Sequence, residues 1–380
     1  MNAARALSHG GLVDAAARQL GVPPEEILDF SANLNPAGLP QRAAARLARE
    51  AADPRLIARY PDPETRELKL ALAAHLDLPL ETIVIGAGAD ALIHAAIRAL
   101  APRACIIPVP AFAEYERACA AVGIAVRRIG LNPETGFRLQ PHASRGVATG
   151  ETIVFNNPHN PTGTCVARSE MLDHIGTARS NGATVLVDEA FVDYAPEAAI
   201  TRDAAVQSGL IAIRSLTKFY GCAGLRVGYA VASPDTAAAV QYHLPPWPVT
   251  TLAANTLAEA IADDEYARAT LASNAVRRAR LTADLASLGC RVFPGSANFL
   301  LLELPPGHQG ADVQRRLLET TRILVRACDS FEGLAPGRYI RVAVRCDEDN
   351  SRLLNALAEG LKSPSSRLDG DRRPPENKPS

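Results

Sequence analysis

The chemistry of this chain can be read outward from one amine in the stretch Ser215-Leu216-Thr217-Lys218-Phe219-Tyr220-Gly221-Cys222-Ala223-Gly224-Leu225-Arg226-Val227-Gly228-Tyr229. Of 40 basic residues only Lys69, Lys218, Lys362 and Lys378 are lysines, and Lys218 alone follows closely on an apolar run, Leu210 to Ile213. Arginine stays protonated, whereas a desolvated lysine can lose its proton and form a Schiff base. Other reactive groups fall at predicted strand ends, where open α/β sheets place ligands. Gly86-Ala87-Gly88-Ala89-Asp90-Ala91 matches Gly-x-Gly-x-x-Ala, but the next strand ends in Pro108-Val109-Pro110 with no acidic residue for a ribose. It reads as a phosphate cup at a helix N-terminus, not a dinucleotide site. The loop Asn156 to Gly163 follows another strand, and Asp188 ends an apolar one. A carboxylate there is costly unless it meets a cation, such as a protonated pyridine nitrogen. Ser215 and Thr217 add hydroxyls beside Lys218, and Arg226 adds a guanidinium suited to phosphate. One amine, one carboxylate, an amide-bearing asparagine and a phosphate cup are the groups that pyridoxal 5′-phosphate needs.

The elements that must position these groups follow from hydrophobic patterning. Seven short apolar runs are predicted as strands: 82–85, 104–109, 125–129, 152–155, 184–187, 210–213 and 226–231. Most are apolar on both faces, as in a largely parallel sheet covered by helices. Helices are expected over 12–20, 41–51, 64–75, 90–100 and 169–181, the last with Ser169 as N-cap and Gly182 just past its end. After Pro245-Pro246-Trp247-Pro248 the character changes. An alanine-rich helical region over 251–288, broken near Ala262-Asp263-Asp264, leads to strands at 290–293, 298–303, 322–326 and 339–344, with helices at 311–319 and 348–361. The expected fold is α/β: a large domain with a seven-stranded, mostly parallel sheet flanked by helices, and a smaller α+β C-terminal domain. The expected division is an N-terminal arm over 1–40, a large domain over 41–250, a small domain over 251–362 and a disordered tail over 363–380.

Composition excludes several classes. With 40 basic against 41 acidic residues, nothing points to a nucleic-acid or membrane partner. The seven cysteines are scattered, with no Cys-x-x-Cys, and read as reduced thiols. No signal-peptide h-region and no run of 18 apolar residues is present, so a cytoplasmic protein is expected. The eight histidines show no ligand spacing, so no metal is expected.

Asn160-Pro161-Thr162-Gly163, Asp188-Glu189-Ala190-Phe191 and Ser215-Leu216-Thr217-Lys218 followed by Ala223-Gly224-Leu225-Arg226-Val227-Gly228-Tyr229 resemble the fold-type I aminotransferases over about residues 8 to 360. The resemblance implies pyridoxal 5′-phosphate attached to Lys218, with Asp188 on its pyridine nitrogen, Asn160 on its ring hydroxyl and Phe112 stacked on the ring. It also implies Gly88, Ala89, Ser215, Thr217 and Arg226 on the phosphate, and Arg341 on the substrate α-carboxylate. Tyr60 would reach the cofactor of a second subunit, which makes a homodimer the expected assembly. Relatives often carry tyrosine three residues after the aspartate. Here that position is Phe191, which leaves the ring oxygen mainly to Asn160.

Three further segments, Ser8-His9-Gly10-Gly11, Asp29 to Pro36 and Leu324 to Phe331, resemble the threonine-phosphate decarboxylases of cobalamin biosynthesis, a branch close to the histidinol-phosphate aminotransferases. This implies a phosphorylated amino-acid substrate, with Arg326 on its phosphate, helped by His9, Ser31 and Asn33, and with Asn160 also against the substrate. The implied reaction is loss of carbon dioxide from L-threonine O-3-phosphate. An aminotransferase acting on histidinol phosphate with 2-oxoglutarate is the alternative. A regulator that uses such a domain as a sensor would need a DNA-binding module, and the segment ahead of the core is too short and insufficiently basic for one.

Overall fold

A computed structural model describes residues 10–362. The expectations for His9 and for the tail over 363–380 lie outside the described residues.

Strands β1 (Leu28–Asp29), β2 (Ile83–Gly86), β3 (Ala104–Val109), β4 (Ala125–Gly130), β5 (Glu151–Asn156), β6 (Thr184–Asp188), β7 (Leu210–Ser215) and β8 (Gly228–Ala232) are followed by β9 (Arg291–Val292), β10 (Phe299–Glu303), β11 (Ile323–Leu324), β12 (Arg326–Ala327) and β13 (Tyr339–Ala343). Seven of them form one sheet in the order β2-β8-β7-β6-β5-β3-β4. The five from β4 to β7 run parallel, while β8 is antiparallel to both β7 and β2. This matches the expected large α/β sheet, with each strand within two residues of its predicted bounds.

Side chains alternate between two apolar layers, as the two-residue period of a strand requires. Ile153, Phe155, Val185, Val187, Leu210 and Ala212 join one buried cluster. Val154, Leu186, Ile211 and Ile213 join the other. Extending the second set by one step places Asn156, Asp188 and Ser215, the last residues of β5, β6 and β7, on a single face at the same sheet edge. The reversed β8 brings its first residue to that edge as well, since Gly228 pairs with both Ser215 and Gly86. The apolar alternation that builds the core therefore also aims the polar residues that end it.

The C-terminal part forms an antiparallel sheet in the order β12-β13-β10-β9, and β1 pairs in parallel with β11. The single strand expected over 322–326 is in fact two. Ile323–Leu324 pairs with β1, while Arg326–Ala327 crosses to β13. The buried Val325 lies between them, its carbonyl taken up by Gln314 Nε2 at 2.6 Å. Phe30 joins both ladders, donating its N–H to Leu324 and accepting from Ala343. This stitch carries Ser31 to the C-terminal sheet.

Helices Gln41–Ala51 and Ala89–Leu100 lie where patterning puts them, and the alanine-rich region divides into Thr251–Ile261 and Asp264–Ser287. Ser169 is not an N-cap. The helix Arg168–Ser180 begins before it, with Ala167 at the cap and no side-chain cap bond. Helices Glu114–Ala120, Thr201–Val206 and Pro234–Tyr242 add to those predicted. Among the described residues, no helix is long and apolar enough to cross a membrane.

Candidate active site

Lys218 lies in the short helix Leu216–Phe219 that follows β7. Burial, with help from the Arg341 and Arg226 charges, brings its amine down to about 8. Desolvation disfavours the charged ammonium, so the neutral, nucleophilic form becomes reachable near neutral pH. The amine opens into a cavity of about 440 Å³ whose walls include Asp188, Asn160, Phe112, Arg326 and Arg341.

Asp188 is buried, and desolvation pushes its carboxyl above the usual range. Two donors act against that shift: Tyr115 Oη donates to Oδ2 at 2.6 Å and the Ala190 N–H donates to Oδ1 at 2.9 Å. Tyr115 is itself fully buried, and both burial and the Asp188 charge drive its hydroxyl well above the normal value, so it remains the donor. Sequence reasoning missed Tyr115. The signal available was its spacing, three residues after Phe112 at the start of a helix, and the two rings meet edge to face at 5.8 Å. Asn156 was missed too. Its amide donates to the Asp188 carbonyl at 2.8 Å and accepts from the Asn160 N–H at 2.6 Å, tying two predicted site residues together.

At the other end of the cavity Gly88, with φ of 91°, caps the helix Ala89–Leu100. Gly228 presses on this turn: a Cβ there would lie 2.9 Å from the Ala89 nitrogen and 2.7 Å from the Arg214 carbonyl oxygen. The first N–H groups of the helix thus face the end of β7, where Ser215 Oγ and Thr217 Oγ1 are 2.8 Å apart. Arg226 adopts a left-handed conformation (φ 53°) and donates to Asp90 Oδ1 at 2.8 Å. Free helical N–H groups, two hydroxyls and a guanidinium form an anion cup.

The third wall comes from the C-terminal sheet and the segment after β1. Arg341, buried on β13, donates to Asn160 Oδ1 through Nη1 and to the Ser31 carbonyl through Nη2 at 2.9 Å. Burial first, and the neighbouring Arg326, lower its guanidinium to about 10. Arg326 on β12 is buried as well; it donates to Ser330 Oγ and lies 5.2 Å over the Phe331 ring. Ser31 Oγ accepts from the Gly11 N–H at 2.9 Å and donates to Asp29 Oδ1 at 2.6 Å. Arg341 Nε and Asn33 Oδ1 are buried without a protein partner, an arrangement that is costly unless a ligand supplies one.

The fold therefore gathers Lys218, Asp188, Asn160, Phe112, Ala89, Ser215, Thr217, Arg226, Ser31, Asn33, Arg326 and Arg341 around one cavity, with Gly88 shaping the cup behind it. Tyr60 is not among them. It is 80% exposed and stacks on Trp247 at 4.6 Å, away from the cavity. Phe191 lines the site and packs edge to face on Phe299 at 4.9 Å. The donor set fits pyridoxal 5′-phosphate. Asp188 is a buried carboxylate with a face open to a cation, the cup is built for a phosphate, and the amine between them can be neutral.

Comparison with known proteins agrees with this geometry. The model of the family "Aminotransferase class I and II" matches residues 25–357. Threonine-phosphate decarboxylase of Salmonella typhimurium is 38% identical over 93% of this chain and 96% of its own length. Two solved structures share the fold at lower identity. L-threonine-O-3-phosphate decarboxylase from Porphyromonas gingivalis superposes with a TM-score of 0.78 at 24% identity, covering 89% of this chain and all of its own (100%). Histidinol-phosphate aminotransferase from Sinorhizobium meliloti, in complex with pyridoxal-5′-phosphate, gives 0.82 at 23% identity, covering 92% of this chain and 94% of its own. With a family match across the whole core and a cavity whose donors suit the chemistry, the chain belongs to the aminotransferase class I and II family.

Proposed function

We propose that this protein is a pyridoxal-phosphate-dependent decarboxylase that converts L-threonine O-3-phosphate to (R)-1-aminopropan-2-ol phosphate and carbon dioxide, for the side chain of cobalamin. The observation that carries this reading is the pair of buried arginines, Arg341 and Arg326, on adjacent strands of one cavity wall. Two cations this close and this desolvated call for a substrate with two anionic ends. The 38% identity to the Salmonella enzyme supports the same assignment.

The cofactor would be held by Lys218, by Asp188 and Asn160 at its ring, by Phe112 against its face, and by Gly88, Ala89, Ser215, Thr217 and Arg226 at its phosphate. Bound there, pyridoxal 5′-phosphate supplies an electron sink for the pair left when a carboxylate departs. The chain's own residues do the rest. Arg341 binds the α-carboxylate and turns the Cα substituents. Arg326, with Ser31, Asn33 and His9, binds the phosphate, and the two grips together leave the substrate one orientation. Asp188, whose ionised form Tyr115 and Ala190 favour against burial, would hold a proton on the ring nitrogen. Lys218, with its amine near 8, can release and return a proton around neutral pH, as protonation of Cα requires. The bond broken is Cα to carboxyl carbon, and a proton takes its place.

In the same reading the chain is a cytoplasmic homodimer in which the exposed Tyr60 reaches the partner's cofactor. It divides into an arm over 1–40, a cofactor domain over 41–250 and a small domain over 251–362. Pairing of β1 with β11 supports an arm that works with the small domain. Product identification tests the function: cofactor-loaded protein should convert L-threonine O-3-phosphate to 1-aminopropan-2-ol phosphate, and its return unchanged would contradict the assignment.

A further inference from the structure

We propose that Gly333 determines the preference for phosphorylated substrates by letting the loop over 328–338 seat directly on the end of β3. The proposal rests on the reading of Arg326 as the phosphate-binding arginine.

This loop joins β12 to β13 and supplies two of the three partners that orient the Arg326 guanidinium, the third being the Ala327 carbonyl on β12, which accepts from Nη1 at 2.6 Å. Ser330 Oγ accepts from Nη2, and the Phe331 ring lies 5.2 Å beneath the guanidinium carbon. With Nη1 fixed on β12, where the loop sits sets how the rest of the guanidinium is held.

Two contacts hold the loop against the large sheet. Phe331 and Leu334 are buried in the apolar cluster that contains Leu131 and Phe137. Glu332 Oε2 lies 2.9 Å from Arg128 Nε, at the β4 edge. Between these anchors is Gly333, with φ of 89°. A Cβ at this position would lie 3.1 Å from both the Pro110 nitrogen and the Val109 carbonyl carbon, and 3.3 Å from Val109 Cγ2. Glycine is required there twice, for the left-handed backbone and for the close approach. Val109 and Pro110 lead straight into Ala111 and Phe112, which line the same cavity. One backbone contact thus spaces the ring-stacking wall from the arginine's partners. A side chain at 333 would lift the loop and carry Ser330 and Phe331, three and two residues earlier, off the guanidinium.

The test compares Gly333→Ala with wild type as cofactor-loaded protein. KM for L-threonine O-3-phosphate should rise by about tenfold or more, since small misplacements of positioning groups cost that much. The preference over unphosphorylated threonine should fall in proportion, with kcat and the cofactor absorbance spectrum unchanged. Arg326→Ala separates this proposal from the reading beneath it. An unchanged KM in Arg326→Ala overturns the phosphate reading and the proposal with it. A raised KM in Arg326→Ala beside an unchanged KM in Gly333→Ala overturns the proposal alone. A fall in kcat at constant KM in Gly333→Ala overturns it as well. If Gly333→Ala does not accumulate as folded protein, Ser330→Ala, which leaves the backbone intact, carries the test in the same direction: a raised KM supports the seat, and an unchanged one overturns it.

Discussion

Arg326 and Arg341 sit directly opposite one another on the antiparallel strands β12 and β13, so two buried guanidiniums share one face of one sheet. Directly opposed like charges destabilise a strand pair. Here each guanidinium has hydrogen bonds, but no carboxylate forms a salt bridge with either among the described residues. An anion between them would remove the repulsion. Inorganic phosphate should therefore raise the melting temperature of the wild-type protein more than that of Arg326→Ala. Equal shifts in the two proteins would contradict a role for this pair in anion binding.

Arg326→Ala should retain the cofactor and lose the substrate. Removing a charged hydrogen-bond donor costs about 1.5–3 kcal/mol, so KM for the phosphorylated substrate should rise by roughly one to two orders of magnitude. Steady-state kinetics with phosphorylated and unphosphorylated threonine check this, because only the former should suffer.

Tyr115→Phe removes the donor that helps keep the buried Asp188 ionised. Burial already raises the Asp188 carboxyl, and Tyr115 lowers it, so the variant should raise it further. Activity that needs the carboxylate should then fail at a higher pH on the acid side. The measurement is the pH profile of kcat, whose acid limb should move upward in Tyr115→Phe and stay in place in a variant of a distant buried tyrosine.

Lys218 links stability to pH in the cofactor-free protein. Its folded amine is lowered from the ordinary 10.5 to about 8, so between those values the unfolded chain binds more protons than the folded one. Stability from this group therefore rises as pH increases from about 8 to about 10.5. Wild type minus Lys218→Met isolates the contribution: thermal melts across that window should diverge with wild type gaining, and parallel curves would contradict the shift.

Gly228→Ala tests the cup. The added methyl would meet the Ala89 nitrogen at 2.9 Å and the Arg214 carbonyl oxygen at 2.7 Å. Overpacking of this kind costs about 1–3 kcal/mol. Cofactor affinity, measured by spectroscopic titration, should weaken by a comparable factor while the far-UV spectrum stays the same.

Much of this architecture was legible because one physical signal, apolar on both faces, marks each central strand. Lys218 and Asp188 stood out as polar residues beyond such runs, and Arg226 as the residue that opens the last of them. Tyr115 did not, because a tyrosine in a helix facing an apolar layer looks like core, and only the fold shows its hydroxyl meeting Asp188. The break at Val325 was equally hidden. Five consecutive residues suited to a strand serve two ladders, and the switch depends on Gln314, eleven positions earlier, capturing one carbonyl. Ser169 misled for a local reason: a serine is a preferred cap, but the helix starts at Arg168 without using it. Tyr60 had meaning only through family likeness, since its ring touches Trp247 and not the cavity.

The dimer reading has its own probe, because Trp247 is the sole tryptophan. Its stack with Tyr60 is exposed in the single chain. Assembly around Tyr60 should bury it, so its emission should shift to the red on dilution into monomers; constant emission through dissociation would contradict that interface.

The most direct test of the central claim is carbon dioxide release from purified, cofactor-loaded protein given L-threonine O-3-phosphate and no keto acid. Release over many turnovers, with one carbon dioxide per substrate consumed, is the predicted result. No release, together with glutamate formation from 2-oxoglutarate when histidinol phosphate is supplied, would show an aminotransferase and contradict the assignment.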